Sequence, residues 1–189
     1  MSLTSTPFGF RPVYHPTGLD RAKKYAIASG YATALFKGQM VTLNTNGTVT
    51  TAAGAADFLG ILAGVEFIDA TGKPNLQPNW PAAQVTQGAA NAVAWVYDDI
   101  DTVYEVQANG SVALTAIGDQ ADVVNVSSGN AATGLSTSGL NSTLVGATVQ
   151  GQWRIRGFGL QQDNLPGDPF TIVQVSMARS QYVANKVAV

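Results

Sequence analysis

The chain lacks cysteine entirely, and its only histidine is His15. Without thiols it cannot form disulfide bonds, cysteine nucleophiles or thiolate metal ligands. His15 lies between Tyr14 and Pro16, so a catalytic triad or a histidine-based zinc site would depend on one residue in a proline-rich segment. We therefore expect a protein that is not an enzyme and that carries neither a cofactor nor a metal.

Charged residues are also scarce in this chain. Charged residues make up 12% of the 189 residues, about half of the roughly 25% that is usual in soluble domains. A free monomer normally relies on surface charge for solubility. A surface with so little charge indicates either partners that cover it or a merely polar β surface.

The few charges are unevenly distributed. Residues 1–56 carry five basic side chains and one acidic, whereas residues 57–122 carry one basic and nine acidic. Opposite signs in two parts of a chain can be complementary between subunits. Neither part has the dense lysine and arginine with interleaved aromatics that is typical of nucleic-acid binding, so we expect no nucleic-acid partner.

Long apolar runs are also missing. No stretch approaches the ~18 apolar residues of a membrane helix, and the first residues lack the basic and apolar regions of a signal peptide. The hydrophobic fraction of 46% is nevertheless enough to build a packed core. We expect a chain that folds in a cytoplasm without membrane contact.

Residues 1–24 have the composition of an extended arm. Three prolines restrict the backbone and push the preceding residues towards extended conformations. The side chains between them are too apolar for a free tail: Phe8, Phe10, Val13 and Tyr14. Such a segment is typical of strands that dock in a groove. We predict an extended arm at 1–24, a β-rich body at 25–177 and a C-terminal tail at 178–189.

From residue 25 onward the dominant period of apolar residues is two, as in β-strands. Asn46-Gly47 lies between two β-prone runs and predicts a hairpin, because both residues tolerate positive φ. The clearest strands are predicted at 92–97, 102–107, 153–160 and 170–177, with a further strand at 111–115. Residues 69–91 and 127–143 are rich in turn-forming residues and are predicted to be long loops.

These signals amount to nine or ten short strands and no amphipathic helix of ten residues. Short strands with regular turn signals predict an all-β fold, with a single β-barrel or β-sandwich of jelly-roll or tulip-like type as the body. Trp80, Trp95 and Phe158 are expected to be core or interface anchors.

The best candidate for chemistry is an acidic group at Asp98, Asp99, Asp101 and Glu105. Carboxylates this close can bind Ca²⁺ or act as a general acid and base. The spacing lacks the glycine of a calcium-binding loop, however, and aspartate is common in turns because its side chain binds local backbone. We favour a solvated or partner-facing turn over a cation site, and a cation site over catalysis.

Four blocks of the sequence resemble small virion proteins of tailed bacteriophages. They are PFGFRPV at 7–13, YAIASGYATALFKG at 25–38, VYDDIDTVYEVQ at 96–107 and TGLSTSGLNST at 133–143. The resemblance implies a capsid cement or decoration protein, which binds the outer capsid surface and stabilises the head by bridging neighbouring major capsid subunits. It also implies assembly in the bacterial host cytoplasm and self-association as a homotrimer or a dimer.

Residues for the partner contacts follow from this interpretation. We expect Phe8, Phe10 and Tyr14 to be aromatic anchors, with Arg11, Lys23 and Lys24 steering the chain towards acidic shell surface. Arg154 and Arg156 alternate on one face of a predicted strand and can pair with an acidic neighbour. The alternative function is a host-recognition or carbohydrate-binding module of the virion surface, with the 69–91 and 127–143 loops as binding edges.

Overall fold

The computed structural model describes residues 2–18, 20–88 and 92–182. This part of the chain is all-β, as predicted, and contains no α-helix; a 3₁₀ turn occurs at Leu114–Ala116. The strands are β1 Arg11–Tyr14, β2 Lys23–Ala26, β3 Leu35–Phe36, β4 Met40–Leu43, β5 Val49–Thr51, β6 Gly60–Ile68, β7 Pro74–Gln77, β8 Asn79–Trp80, β9 Ala92–Tyr97, β10 Val103–Gln107, β11 Gln120–Ala121, β12 Val123–Val124, β13 Gly129–Asn130, β14 Leu135–Ser136, β15 Gly139–Leu140, β16 Trp153–Phe158 and β17 Ile172–Met177.

A five-stranded antiparallel sheet has the order β1-β10-β17-β16-β11. Side chains alternate along its strands as they must in a pleated sheet. In β16, Trp153 and Ile155 are buried while Arg154 and Arg156 are exposed. The sheet therefore has one core face and one largely polar outer face.

A second sheet of six strands has the order β2-β9-β6-β4-β5, with β7 paired to the far end of β6. An isolated parallel bridge joins Ala26, at the end of β2, to Thr48, the residue before β5. The β6 and β9 backbones approach closely at Gly60, where a Cβ atom would lie 2.1 Å from the Tyr97 carbonyl oxygen. Only glycine fits at that position.

Two hydrophobic cores stabilise the body. The first lies between the two sheets around Trp153, which contacts the rings of Phe10, Phe58 and Tyr104. The second is enclosed by the six-stranded sheet, where Phe67 meets the fully buried Trp80 edge to face at 5.3 Å. The arrangement fits a sandwich-like body.

The N-terminal segment differs from the expected partner-seeking arm, because it is docked on its own body. β1 pairs with β10, and β2 pairs with β9. Ser2 is buried, and its hydroxyl donates to Asp168 at 2.6 Å. Phe10 is only 2% exposed and belongs to the first core. The apolar groove that this segment requires is supplied by the same chain, so residues 2–18 and 20–24 are part of the folded body.

The hairpin at Asn46-Gly47 is confirmed, with β4 paired to β5 and Gly47 at φ 74°. The strands predicted at 92–97 and 102–107 are also confirmed, but they belong to different sheets. The strand predicted at 111–115 is wrong, because that segment leads into the 3₁₀ turn. The predicted loops at 69–91 and 127–143 contain short strands, from β7 to β8 and from β13 to β15.

Part of the predicted C-terminal tail packs on the body. The Arg179 Nε atom donates to Asp57 at 2.7 Å, and the Gln181 side chain bonds both backbone groups of Leu43. The rest of the predicted tail, 183–189, lies outside the described residues. Within the described ranges, nothing helical has the length and apolarity that crossing a bilayer requires.

Candidate interaction surface

Three adjoining depressions lie on the surface of the body, and together we call them the outer groove. The first has a volume of about 770 Å³ and shares Lys37 and Ala63 with the second, of about 180 Å³. The second shares Pro12 and Tyr97 with the third, of about 460 Å³. Because neighbouring depressions share lining residues, they form one continuous surface.

The groove exists because the five-stranded sheet covers only part of the six-stranded sheet. At one end of β6, Ile61 is buried in the first core. Further along β6, Ala63 and Glu66 line the open groove together with Trp95 of the neighbouring strand. One end of β6 is therefore buried between the two sheets, and the rest of the strand forms the exposed bottom of the groove.

In the first section, an indole ring is left partly uncovered. Gly64 is the β6 partner of Trp95 and has no side chain to lay over it. On the other side, the partner of Trp95 is Lys24, whose Nζ atom lies 4.6 Å from the indole centroid in a cation–π contact. Leu76 of β7 adds an aliphatic side chain that is 79% exposed.

The second section is walled by the N-terminal segment. The Phe10 N–H donates to the Gly38 carbonyl at 2.8 Å. Gly9 has φ 74°, and a Cβ atom there would lie 2.8 Å from the same carbonyl oxygen, so the approach requires glycine. The Arg11 guanidinium stacks 4.8 Å over the half-buried Phe8 ring and pairs with the buried Glu105 at 3.1 Å.

The third section contains Tyr14, which is 61% exposed, and His15. The Thr17 N–H donates to Nδ1 of His15, and Nε2 of the same ring lies 3.3 Å from an Asp99 carboxylate oxygen. The pKa of Asp99 is lowered, chiefly by the hydrogen bond from the Asp101 N–H and also by His15. His15 therefore ties the N-terminal segment to the acidic turn.

One carboxylate oxygen of Asp98, in the acidic turn, binds side chains of the same chain. The Asp98 side chain is almost fully buried and accepts hydrogen bonds from Lys23 Nζ at 3.0 Å and from the Tyr25 hydroxyl at 2.6 Å. Burial and this hydrogen bond raise the pKa of Tyr25. No group of three or more histidine or carboxylate side chains in the described ranges is placed to hold a metal ion.

Asp20 lies beside the same turn. Burial raises the pKa of Asp20, although the Thr102 hydroxyl donates to its carboxylate at 3.3 Å. One oxygen of Asp20 and one of Asp98 are buried without a hydrogen-bond partner. A buried carboxylate oxygen without a partner costs free energy, so these two side chains are held there by the packing around them.

The eight predicted partner residues fall into three groups: five at the outer groove, Lys23, and the two arginines of β16. The groove residues are Phe8, Phe10, Arg11 and Tyr14, which line it, and Lys24, which lies beside it. Phe10 is buried, so it is not the free aromatic anchor that we expected. Lys23 is paired with Asp98.

The two arginines form a separate surface. Arg154 donates to the Gly118 carbonyl at 3.2 Å, and Arg156 donates to the Ser176 hydroxyl at 2.8 Å. Strand β16, which carries them, is three strands away from β1 in the five-stranded sheet, a separation of about 14 Å at normal strand spacing.

Sequence reasoning missed Lys37 and Leu76 as groove residues. A signal for Leu76 exists in the two prolines that bracket it, Pro74 and Pro78, because prolines protect an exposed edge strand. Nothing local marks Lys37, since its position at the junction of two depressions depends on contacts with the segment around Gly134.

Comparisons of the chain with protein-family models, with curated proteins and with solved structures gave no match. The geometry of the outer groove and the resemblance of the four sequence blocks are therefore the basis for a functional proposal.

Proposed function

We propose that the chain is a non-enzymatic structural protein of a tailed-phage virion, a cement or decoration subunit that binds the major capsid protein on the outside of the head. The observation that carries the proposal is the outer groove, which is continuous over three sections and lined mainly by aromatic and aliphatic side chains. The resemblance of the four sequence blocks is the reason for proposing a phage particle, and the groove is the proposed contact surface.

The mechanism is a clamp. Pressure from packaged DNA tends to separate thin shell subunits, so a protein that binds two of them together opposes the separation. In this chain the outer groove would hold one subunit, and the surface around Arg154 and Arg156 would contact its neighbour. Linking two modest contacts raises the effective concentration of each, which makes the combined attachment durable.

Self-association strengthens such a clamp further, and we propose a homotrimer, with a dimer as the alternative. Analytical ultracentrifugation of the purified protein distinguishes the two. A strictly monomeric protein at the concentration that saturates heads would contradict this part of the proposal.

The direct test is a titration of heads assembled without this chain, read by cosedimentation and by cryo-electron microscopy. Point substitutions are preferable to removal of residues 2–16, because that deletion would take β1 out of its sheet and Phe10 out of the core. Leu76→Ser removes an exposed groove leucine, and Leu160→Ser is the matched control, since Leu160 is 89% exposed and lies outside the groove.

We expect the wild type and Leu160→Ser to saturate the heads equally. Leu76→Ser should bind about tenfold more weakly, the factor that corresponds to losing much of one buried leucine side chain. Absence of wild-type binding to heads would refute the proposal.

One observation favours the alternative, a carbohydrate-binding module of the virion surface. The partly exposed Trp95 and the polar residue Gln77 line the same section of the groove, and an aromatic ring with polar groups is a common combination in ligand pockets. The Lys24 ammonium already occupies a position over that ring, which argues against sugar stacking. Saturable glycan binding that Trp95→Ala abolishes would support the module.

A further inference from the structure

The shape of the outer groove suits an extended polypeptide. It follows β6 from Glu66 to Ile61 and then β1 from Arg11 to Tyr14. These two strand segments are about 17 Å and 10 Å long at 3.3 Å per residue, so the path accommodates about seven or eight extended residues.

Recognition in this groove must rest mainly on side chains. The exposed edge strand β7 offers few free backbone groups for an added strand, because Pro74 begins it and Pro78 follows it, and neither has an N–H. The apolar contacts lie on both sides of the middle of the groove. Leu76 and Trp95 provide them in the first section, and Phe8 and Leu135 in the second.

Lys37 lies at that middle position, where the first and second sections meet. Its backbone is held on both sides, since its N–H donates to the Gly134 carbonyl at 3.0 Å and its carbonyl accepts from the Ser136 N–H at 2.9 Å. The backbone of Lys37 is therefore held in place, and its side chain is exposed.

Lys37 is the available cation of the first two sections of the groove, and Glu66, the carboxylate that lines the first section, lies at the far end of that section. Arg11 is paired with Glu105, and Lys24 lies on the Trp95 ring. No carboxylate of the described ranges lies within ion-pair distance of Lys37. An unpaired cation on a held backbone, with apolar side chains on both sides, favours a ligand that brings one anionic group to the same place.

We infer that the outer groove binds an extended segment of a partner polypeptide whose central acidic side chain pairs with Lys37, with apolar side chains on either side of it. The apolar side chains contact Leu76 and Trp95 in one direction and Phe8 and Leu135 in the other. The inference rests on the proposed function only in taking the major capsid protein as the source of that segment.

The test uses the intact protein and a library of random linear ten-residue peptides. Enriched peptides are synthesised, and their dissociation constants are measured by fluorescence anisotropy. We expect an aspartate or glutamate flanked by apolar residues, and a roughly tenfold weaker affinity for Lys37→Met, as expected for loss of a charge-assisted contact. Lys73→Met is the matched control, because it removes the same charge from an exposed lysine of the turn before β7 that does not line the groove.

A double-mutant cycle tests whether Lys37 pairs directly with the acidic residue of the peptide. Replacing the peptide's acidic residue with its amide should weaken binding to the wild type by the same factor, with no further effect on Lys37→Met. Enrichment of peptides without an acidic residue, equal binding by Lys37→Met, or no peptide binding at all would each overturn the inference.

The two proposals fail separately. If the selected peptides bind but heads do not, the phage-head function is wrong and the groove specificity stands. If heads bind normally to Lys37→Met while no peptide binds, the groove specificity is wrong and the head function stands. Binding of glycans in the absence of any peptide binding would also overturn the inference.

Discussion

The ring of Phe10 stacks on the indole of Trp153, with centroids 4.4 Å apart and planes 17° from parallel. This contact joins the N-terminal segment to the five-stranded sheet across 143 positions of sequence. It explains why the segment is part of the body: its aromatic side chain completes the first core. The outer groove is a consequence, because the docked segment forms the wall of the second section.

Phe10→Ala should destabilise the fold strongly. Truncating a buried phenylalanine typically costs about 3–5 kcal/mol, from lost burial and the cavity that remains. Phe8→Ala is the control, because Phe8 is only half-buried and lies at the groove, and we expect it to cost less than about 1.5 kcal/mol. Urea unfolding followed by tryptophan fluorescence measures both, and equal effects would contradict the placement of Phe10 in the core.

Gly60→Ala should prevent close pairing of β6 with β9. The added methyl group would lie 2.1 Å from the Tyr97 carbonyl oxygen, so the backbone of one strand must move. A loss of about 3 kcal/mol or more is expected for such an overlap. Gly146→Ala is the matched control, because nothing lies within 4 Å of a Cβ there. Thermal unfolding compares the two, and a normal midpoint for Gly60→Ala would refute the close approach.

Asp98→Asn should destabilise the junction between the N-terminal segment and β9. The buried carboxylate accepts from Lys23 and Tyr25, and its neutral amide cannot serve both donors equally well. We expect a loss of about 1–3 kcal/mol, the usual range for a broken buried polar contact. Asp101→Asn changes an exposed residue of the same turn and should stay within about 0.5 kcal/mol of the wild type. Equal denaturant midpoints for the two variants would argue against the buried contact.

Stability should fall at alkaline pH. Burial raises the pKa values of Tyr25, Tyr97 and Tyr104 in the folded protein above the ordinary value near 10. At a pH between the pKa values of the unfolded and the folded protein, these tyrosines have lost their protons in the unfolded chain but keep them in the folded chain. The unfolded state is then favoured, so the stabilisation is complete below about pH 10 and is lost as the pH rises further.

Denaturant midpoints at pH 7 and at pH 10.5 measure this effect. Tyr104→Phe should reduce the pH dependence, because it removes the one of these three phenols that is fully buried while keeping the ring in the core. A wild-type midpoint that is constant over this pH range would contradict the prediction.

Sequence alone determined the features that depend on neighbours in the chain. The period of two predicted an all-β fold, and Asn46-Gly47 predicted its hairpin, because strand and turn preferences are local. The local chemistry of aspartate likewise predicted a turn at 98–101, and the chain turns there between β9 and β10.

Tertiary structure decided which surfaces remain open. Strands 92–97 and 103–107 are adjacent in sequence but belong to different sheets, because each pairs with strands that are distant in the chain. The same long-range pairing buried Phe10, joined Lys23 to Asp98 and left Lys37 exposed between two depressions. An aromatic or a cation has the same local signal whether its partner lies in its own body or in another subunit, and only the packing of distant segments distinguishes the two.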